Sequence, residues 1–267
     1  MIRLALRVRR EQAEVALAEL LALVPGGVEE VDLGDRVEYA VYGAPGELPD
    51  LPDLEAAAGE ALVEIATTEV ADDWAERWRA FHEPVDVGPL RVRPPWAEPR
   101  DGDLVIDPGQ AFGTGGHETT RLCLELLLDL EPGGAFADLG CGSGVLAIAA
   151  ARLGWSPVLA VDYDPLAVEA TAANARANAV DVRAERRDLR GAPAPAAPTV
   201  AANLLRPLLL DVARNGFEDG ERPEALIASG LLREEAGEVA AAFAAHGLAE
   251  QRRAARGEWA ALLLRGR

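Results

Sequence analysis

The amino-acid sequence predicts an α/β protein: a doubly wound, mostly parallel seven-stranded sheet ending in an antiparallel hairpin, preceded by a small ferredoxin-like α+β domain. Three observations carry that expectation. From about residue 100, short apolar runs of strand length alternate with helical patterns, as in β-α units of a parallel sheet. The first 70 residues instead read β-α-β-β-α-β, a split pattern with a compact antiparallel solution. A glycine-rich segment follows the first strand of the alternating part and opens a helix, where open α/β sheets bind ligands. The length of 267 residues suits one large domain and one smaller one.

In order along the chain, Ile2 to Val8 alternates apolar residues with Arg3 and Arg7, which is strand period. Glu11 to Leu23 places Val15, Leu17, Ala18, Leu21 and Ala22 at helical spacing, and Pro25-Gly26-Gly27 stops it. Val28 to Leu33 and Val37 to Tyr42 are strands about the turn Gly34-Asp35. A weak helix near Leu54 to Gly59 and a strand over Leu62 to Thr67 complete a domain over residues 1–70. Residues 71–99 are expected to connect, with a short helix from Asp72 to Phe81 and then Pro84, Pro94 and Pro95 around a short strand at Leu90 to Arg93. Trp74 and Trp78, four apart, suit packing between units or a substrate platform. The third region, residues 100–267, carries strands at Ala135 to Leu139, Val158 to Val161, Val182 to Glu185, Val200 to Asn203 and Leu226 to Ser229. Helices are expected at Arg121 to Leu130, Gly144 to Leu153, Pro165 to Asn178, Leu204 to Asn215 and Glu234 to His246. Leu248 to Arg252 and Trp259 to Leu264 form the closing strand pair, and the Pro/Ala-rich Gly191 to Pro198 is a surface loop.

Composition narrows the function. A net charge of −19, from 45 acidic against 26 basic residues, argues against a nucleic-acid binder and against a polybasic membrane binder. Residues 1–70 hold 15 acidic residues against 5 arginines, a net of −10, which fits either a solvated acidic face or a docking surface for a basic partner. Every basic residue is Arg, so a lysine Schiff base, P-loop lysine or lysine general base is excluded. Cys123 and Cys141 have neither disulfide-framework nor metal-ligand spacing, and no metal is expected. The start lacks a signal-peptide core and no apolar run reaches the roughly 18 residues of a span; a cytoplasmic location, without membrane, is the expectation.

Four motifs bear chemistry. Asp138-Leu139-Gly140-Cys141-Gly142-Ser143-Gly144 lets backbone approach a ligand at a helix N-terminus. Its third glycine comes one position too early for a dinucleotide fingerprint, with Val145 in the expected place. Asp138 suits a ligand with a cationic amino-acid tail better than a pyrophosphate. Twenty-two residues after Gly140, Asp162 ends the second strand, where an acid accepts ribose hydroxyls; Asp164-Pro165 reads as an N-cap and first helical residue. Ala111 to Thr120, with three glycines, three threonines, Phe112 and His117, is a functional loop or lid. His117 there is either a satisfied loop histidine or a base. Asn203, ending the fourth strand, is either a helix cap or a ligand-facing amide.

Together the loop, Asp162 and Asn203 resemble the Class I S-adenosylmethionine-dependent methyltransferases. The segment Ala111 to Thr120 is similar to the signature of the ribosomal protein L-eleven (L11) methyltransferases. Asp73-Trp74 with Trp78, Arg93 to Trp96, Ser229-Gly230-Leu231-Leu232 and Gly257-Glu258-Trp259 follow the same family over residues 70–267. The resemblance implies a Rossmann-like methyltransferase sheet and S-adenosyl-L-methionine as cofactor. Thr120, Gly140, Asp162 and Asn203 would bind it, beside Asp138 and Gly142, with Phe112 and Thr114 in a loop closing over it. It further implies that the small domain recognises ribosomal protein L11, a basic protein partner whose α-amine and lysines are methylated. Asn203 is the candidate catalytic residue, orienting the amine. Three other readings stand beside this one: a lysine methyltransferase of the same fold with another protein substrate, a nicotinamide-dependent dehydrogenase, and a non-catalytic cofactor-binding module.

Overall fold

A computed structural model describes residues 2–13, 16, 20, 29–43, 54, 59–69, 83–108 and 116–266. The chain divides into two compact units, Met1–Phe81 and His82–Arg267. In the first, strands β1 (Ile2–Arg9), β2 (Glu29–Asp32), β3 (Arg36–Gly43) and β4 (Leu62–Glu69) form an antiparallel sheet in the order β2-β3-β1-β4. That order belongs to the split β-α-β pattern. Period-2 alternation sets the register: Leu6 lies opposite Tyr39 and Val8 opposite Val37 on the core face, where buried Ala13, Ala16, Leu20 and Leu54 join them. On the other face Arg7 lies opposite Glu38. Glu38 sits between Arg3 (2.6 Å) and Arg7 (2.7 Å), and Arg7 also reaches Glu64 (2.7 Å). The Arg3 hydrogen bond leads in holding the Glu38 carboxyl below its ordinary range, against the opposing pull of desolvation. Most of the expected helix over Glu11 to Leu23, residues 55–58, and Asp72 to Phe81 with Trp74 and Trp78 lie outside the described residues.

The second unit is the doubly wound sheet. Strands β8 (Phe136–Leu139), β9 (Val158–Asp162), β10 (Arg183–Arg186), β11 (Thr199–Asn203), β12 (Ala225–Leu232), β13 (Leu248–Arg256) and β14 (Trp259–Gly266) lie in the order β10-β9-β8-β11-β12-β14-β13. The first five are mutually parallel, and β14 runs antiparallel to both β12 and β13. Among the described residues, helix α1 (Glu118–Leu128) precedes β8, and α2 (Val145–Leu153), α3 (Pro165–Ala177), α4 (Arg206–Asn215) and α5 (Ala236–Ala244) follow β8, β9, β11 and β12 in turn. Successive strand residues face opposite layers. Phe136, Ala201, Ile227 and Leu263 pack under α1 and α2. Ala137, Leu139, Val200, Ala202 and Leu226 pack under α4 and α5.

The Pro-rich stretch, expected to connect through one short strand at Leu90 to Arg93, carries that strand, which pairs with two more. β5 (Val85–Val87) and β6 (Leu90–Arg93) form a hairpin, and β6 pairs in parallel with β7 (Leu104–Val105). Val87, Leu90, Val92, Leu104 and Ile106 seal the α1–α2 side of the core. A buried carboxylate braces the turn between β6 and β7: Asp103 accepts from Arg91 (2.6 Å), Arg93 (2.8 Å) and the Arg100 amide (2.7 Å). Burial pushes its pKa up, but these partners together hold it below the usual carboxylate value.

Candidate active site

The strand order reverses between β8 and β11: the chain steps outward from β8 through β9 to β10, then returns to β8's other side. The carboxyl ends of strands at such a switch point diverge and leave a crevice. Gly140 to Gly144 turns off the end of β8 into this crevice. The Gly140 and Cys141 amides bond the Val161 carbonyl (2.8 and 3.0 Å), and Gly144 bonds Cys141 (2.7 Å). Gly144 has φ 82°, and a Cβ there would meet Thr171 Cγ2 at 2.8 Å and Oγ1 at 2.9 Å, so only glycine lets the loop sit this close to α3.

Asp162 ends β9 as expected. Its Oδ2 accepts from the Gly142 amide and its Oδ1 from Asp164, both at 3.0 Å. Two carboxylate oxygens offer about four acceptor sites, so this grip fixes the carboxylate and leaves capacity for two hydroxyls. Asp164 caps α3 through the Leu166 amide (2.9 Å), with Pro165 opening the helix.

Asp138 is 1% exposed. Its Oδ2 accepts from Ala147 (3.1 Å), while Oδ1 is buried without a hydrogen-bond partner among the described residues. Burial, with a smaller contribution from the Asp162 charge, pushes the Asp138 pKa up to about 7. An unpartnered buried carboxylate oxygen beside a glycine loop is what a cationic ligand group would satisfy.

Asn203 ends β11 and does not cap a helix, because the N-cap of α4 is Leu205. Its Nδ2 donates to Thr120 Oγ1 (3.4 Å), and its Oδ1 is a second buried oxygen without a partner among the described residues. Thr120 is fully buried in the first turn of α1. His117 is that helix's N-cap: Nδ1 accepts from the Thr119 amide (3.3 Å), and the ring packs edge-on against Trp259 at 5.0 Å. This is the satisfied-histidine arrangement. Cys123 and Cys141 are buried, and desolvation pushes Cys123 up to about 12 and Cys141 higher still, so neither thiol is a nucleophile at neutral pH. Phe112 and Thr114 lie outside the described residues.

Thr120, Asp138, Gly140, Gly142, Asp162 and Asn203 therefore gather at the carboxyl ends of β8, β9 and β11. They fit a ligand with a cationic tail and a ribose: one orphaned carboxylate oxygen, one ribose-ready carboxylate, and a glycine floor that a Cβ would fill.

Several supporting residues escaped the sequence reading. Asn174, 3% exposed, donates to the Ser143 carbonyl (2.9 Å) of the glycine loop and pairs both ways with Asp107 (3.0 and 3.3 Å). One turn on, Asn178 pairs both ways with Val105 (2.8 and 2.6 Å). Two side-chain amides thus act as a strand edge for residues 105–107. Thr171 completes the stripe by donating to Gly142 (3.0 Å). Polar residues at 171, 174 and 178 repeat at helical spacing in an otherwise Ala-rich helix, a signal legible in the sequence. Gly230 was matched only by resemblance. A Cβ on it would meet the Leu204 carbonyl oxygen, and Leu204 C at 2.8 Å. It lies where β12 slips register between Ala228 and Leu231, a bulge next to the site.

Residues 51–267 match the family model described as ribosomal protein L11 methyltransferase (PrmA). A ribosomal protein L11 methyltransferase of Pelotomaculum thermopropionicum is 43% identical, covering 78% of this chain and 70% of that protein. One from Burkholderia ambifaria is 36% identical, covering 90% of each. Among solved structures, the ribosomal protein L11 methylase of Lactobacillus delbrueckii subsp. bulgaricus superposes with a TM-score of 0.61 at 28% identity, over 70% of this chain and all of that one. The chain belongs to the ribosomal protein L11 methyltransferase family.

Proposed function

We propose that this protein methylates amines of ribosomal protein L11, on the α-amine, lysine side chains or both, with S-adenosyl-L-methionine as donor. The observation that carries this reading is the buried Oδ1 of Asn203, without a partner among the described residues, at the carboxyl end of β11 beside β8. Asp138 would take the donor's ammonium group, Asp162 its ribose hydroxyls, and Gly140, Gly142 and Thr120 would line its path. S-adenosylmethionine, when bound, supplies a methyl group on a sulfonium, the electrophile for an in-line displacement.

The protein's own task is then to hold an amine. Asn203 Oδ1 accepts a hydrogen bond from the incoming N–H, fixing the nitrogen lone pair toward the donor. Such fixing of two reactants in near-attack geometry accounts for much of the acceleration in displacements of this kind. The nitrogen must be neutral. An α-amine with a pKa near 8 reaches that state readily, whereas a lysine near 10.4 needs desolvation. Asn203 cannot take a proton, so the proton leaves to water before the crevice closes. Phe112 and Thr114 belong to the loop proposed to exclude water. The small first unit, whose residues 1–70 hold 15 acidic residues against 5 arginines, is proposed to hold the basic protein substrate.

The test is mass mapping of purified L11 after incubation with the protein and S-adenosylmethionine. Methylene-sized mass steps on its amines support the reading. Modification of some other protein and none on L11 overturns the substrate, and cofactor binding without any transfer leaves only a binding module.

A further inference from the structure

Leu205, which follows the tightly packed Leu204, breaks two local rules. Leu205 is the N-cap of α4, with φ −62° and ψ 148°, and makes no side-chain capping bond. N-caps favour Ser, Thr, Asp or Asn, and Leu is among the poorest choices. The residue is also 73% exposed, the most exposed of the large hydrophobic residues among those described. A lone exposed leucine is unremarkable in most places, but this one is two residues from Asn203, whose buried Oδ1 has no partner among the described residues. The backbone cannot turn it inward. Leu204 is clamped between Gly140 and Gly230, where a Cβ on either glycine would collide with it, and its amide is bonded to Ser229 (3.0 Å). Consecutive Cα atoms are about 3.8 Å apart, so the Leu205 Cα stands within about 8 Å of the Asn203 Cα, and the residue is open to solvent. Breaches of local preference at a strand's carboxyl end mark function more often than fold.

We infer that Leu205 is a specificity-determining residue: it receives the aliphatic stem of a substrate lysine and favours lysine over the chain-terminal α-amine. This rests on the proposed methylation of protein amines. A lysine carries four methylenes behind its nitrogen and buries them along apolar surface, whereas an α-amine has no such stem.

The test follows both kinds of amine on one L11 sample in one reaction, reading initial rates at each by mass mapping. Leu205→Ser lowers the lysine to α-amine rate ratio about 10-fold, and Leu205→Met restores most of it. The Ser variant leaves the thermal midpoint within about 2 °C of wild type or above it, because an exposed apolar group has become a capping hydroxyl. A packing role for Leu205 would lower the midpoint instead. Equal loss at both amines, an unchanged ratio, a falling midpoint, or wild-type transfer to the α-amine alone overturns the inference. Wild-type protein that modifies no amine of L11 refutes the proposed substrate, a separate failure.

Discussion

Replacing Asp138 with Asn should stabilise the ligand-free protein above neutral pH while weakening its hold on the cofactor. The carboxyl is buried, one oxygen has no partner among the described residues, and its pKa is pushed up to about 7 from 3.8. Because the folded-state value lies above the unfolded one, the folded protein retains a proton that the unfolded chain releases between about pH 4 and pH 7. Stability from this group is therefore full below about pH 4 and is lost as pH rises through 7. From those pKa values, keeping the carboxylate ionised at pH 8 costs the fold roughly 4 kcal/mol, of which about 3 develops between pH 5 and pH 8. Asn does not titrate, so urea melts of the two ligand-free proteins should diverge by about 3 kcal/mol in the variant's favour on going from pH 5 to pH 8. The unpaired amide hydrogens that Asn introduces offset part of the gain equally at both pH values. Cofactor affinity should fall about 10- to 100-fold in the variant, the loss of a charge-assisted hydrogen bond. Parallel pH–stability curves for the two proteins would refute the placement of a strained, ligand-awaiting carboxyl here.

Two further substitutions probe the scaffold. Asn174→Leu removes three hydrogen bonds that tie the glycine loop to residues 105–107 and should cost about 2–4 kcal/mol in urea melts; a loss under 1 kcal/mol would mean the amide ladder is ornamental. Gly230→Ala puts a methyl group into the Leu204 backbone at φ 84° and should cost about 1–3 kcal/mol. It should also reduce transfer at pH 7 further than its stability loss explains, since Leu204 follows Asn203; activity tracking folded fraction alone would count against a role for the Leu204–Gly230 packing in placing Asn203.

Much of this architecture was legible in the sequence because the physics is local. Buried parallel strands read as unbroken apolar runs, and α1 to α5 sit near their expected places, though α1 begins at Glu118 rather than Arg121. The glycine loop, Asp162 and Asn203 fall at strand ends because strand and motif are contiguous in the chain. What escaped depends on distant partners. The four-residue β6 was legible at Leu90 to Arg93, but strands of two or three residues such as β5 and β7 carry too little periodicity to read, and Asp103 is buried only because Arg91 and Arg93 fold back on it. Asp138 was recognisable as an acid but not as one sealed from water. The Asn174–Asn178 ladder needs a backbone some 70 residues away in sequence.

The central claim, that Asn203 orients the accepting amine beside a cofactor held mainly by Asp138 and Asp162, is met most directly by Asn203→Ala. Single-turnover methyl transfer to L11 should fall about 100-fold, while the dissociation constant for S-adenosylmethionine stays within about 3-fold of wild type, because Asp138 and Asp162 are predicted to carry most of the cofactor's polar contacts. Equal losses of transfer and cofactor affinity, or transfer at the wild-type rate, would contradict it.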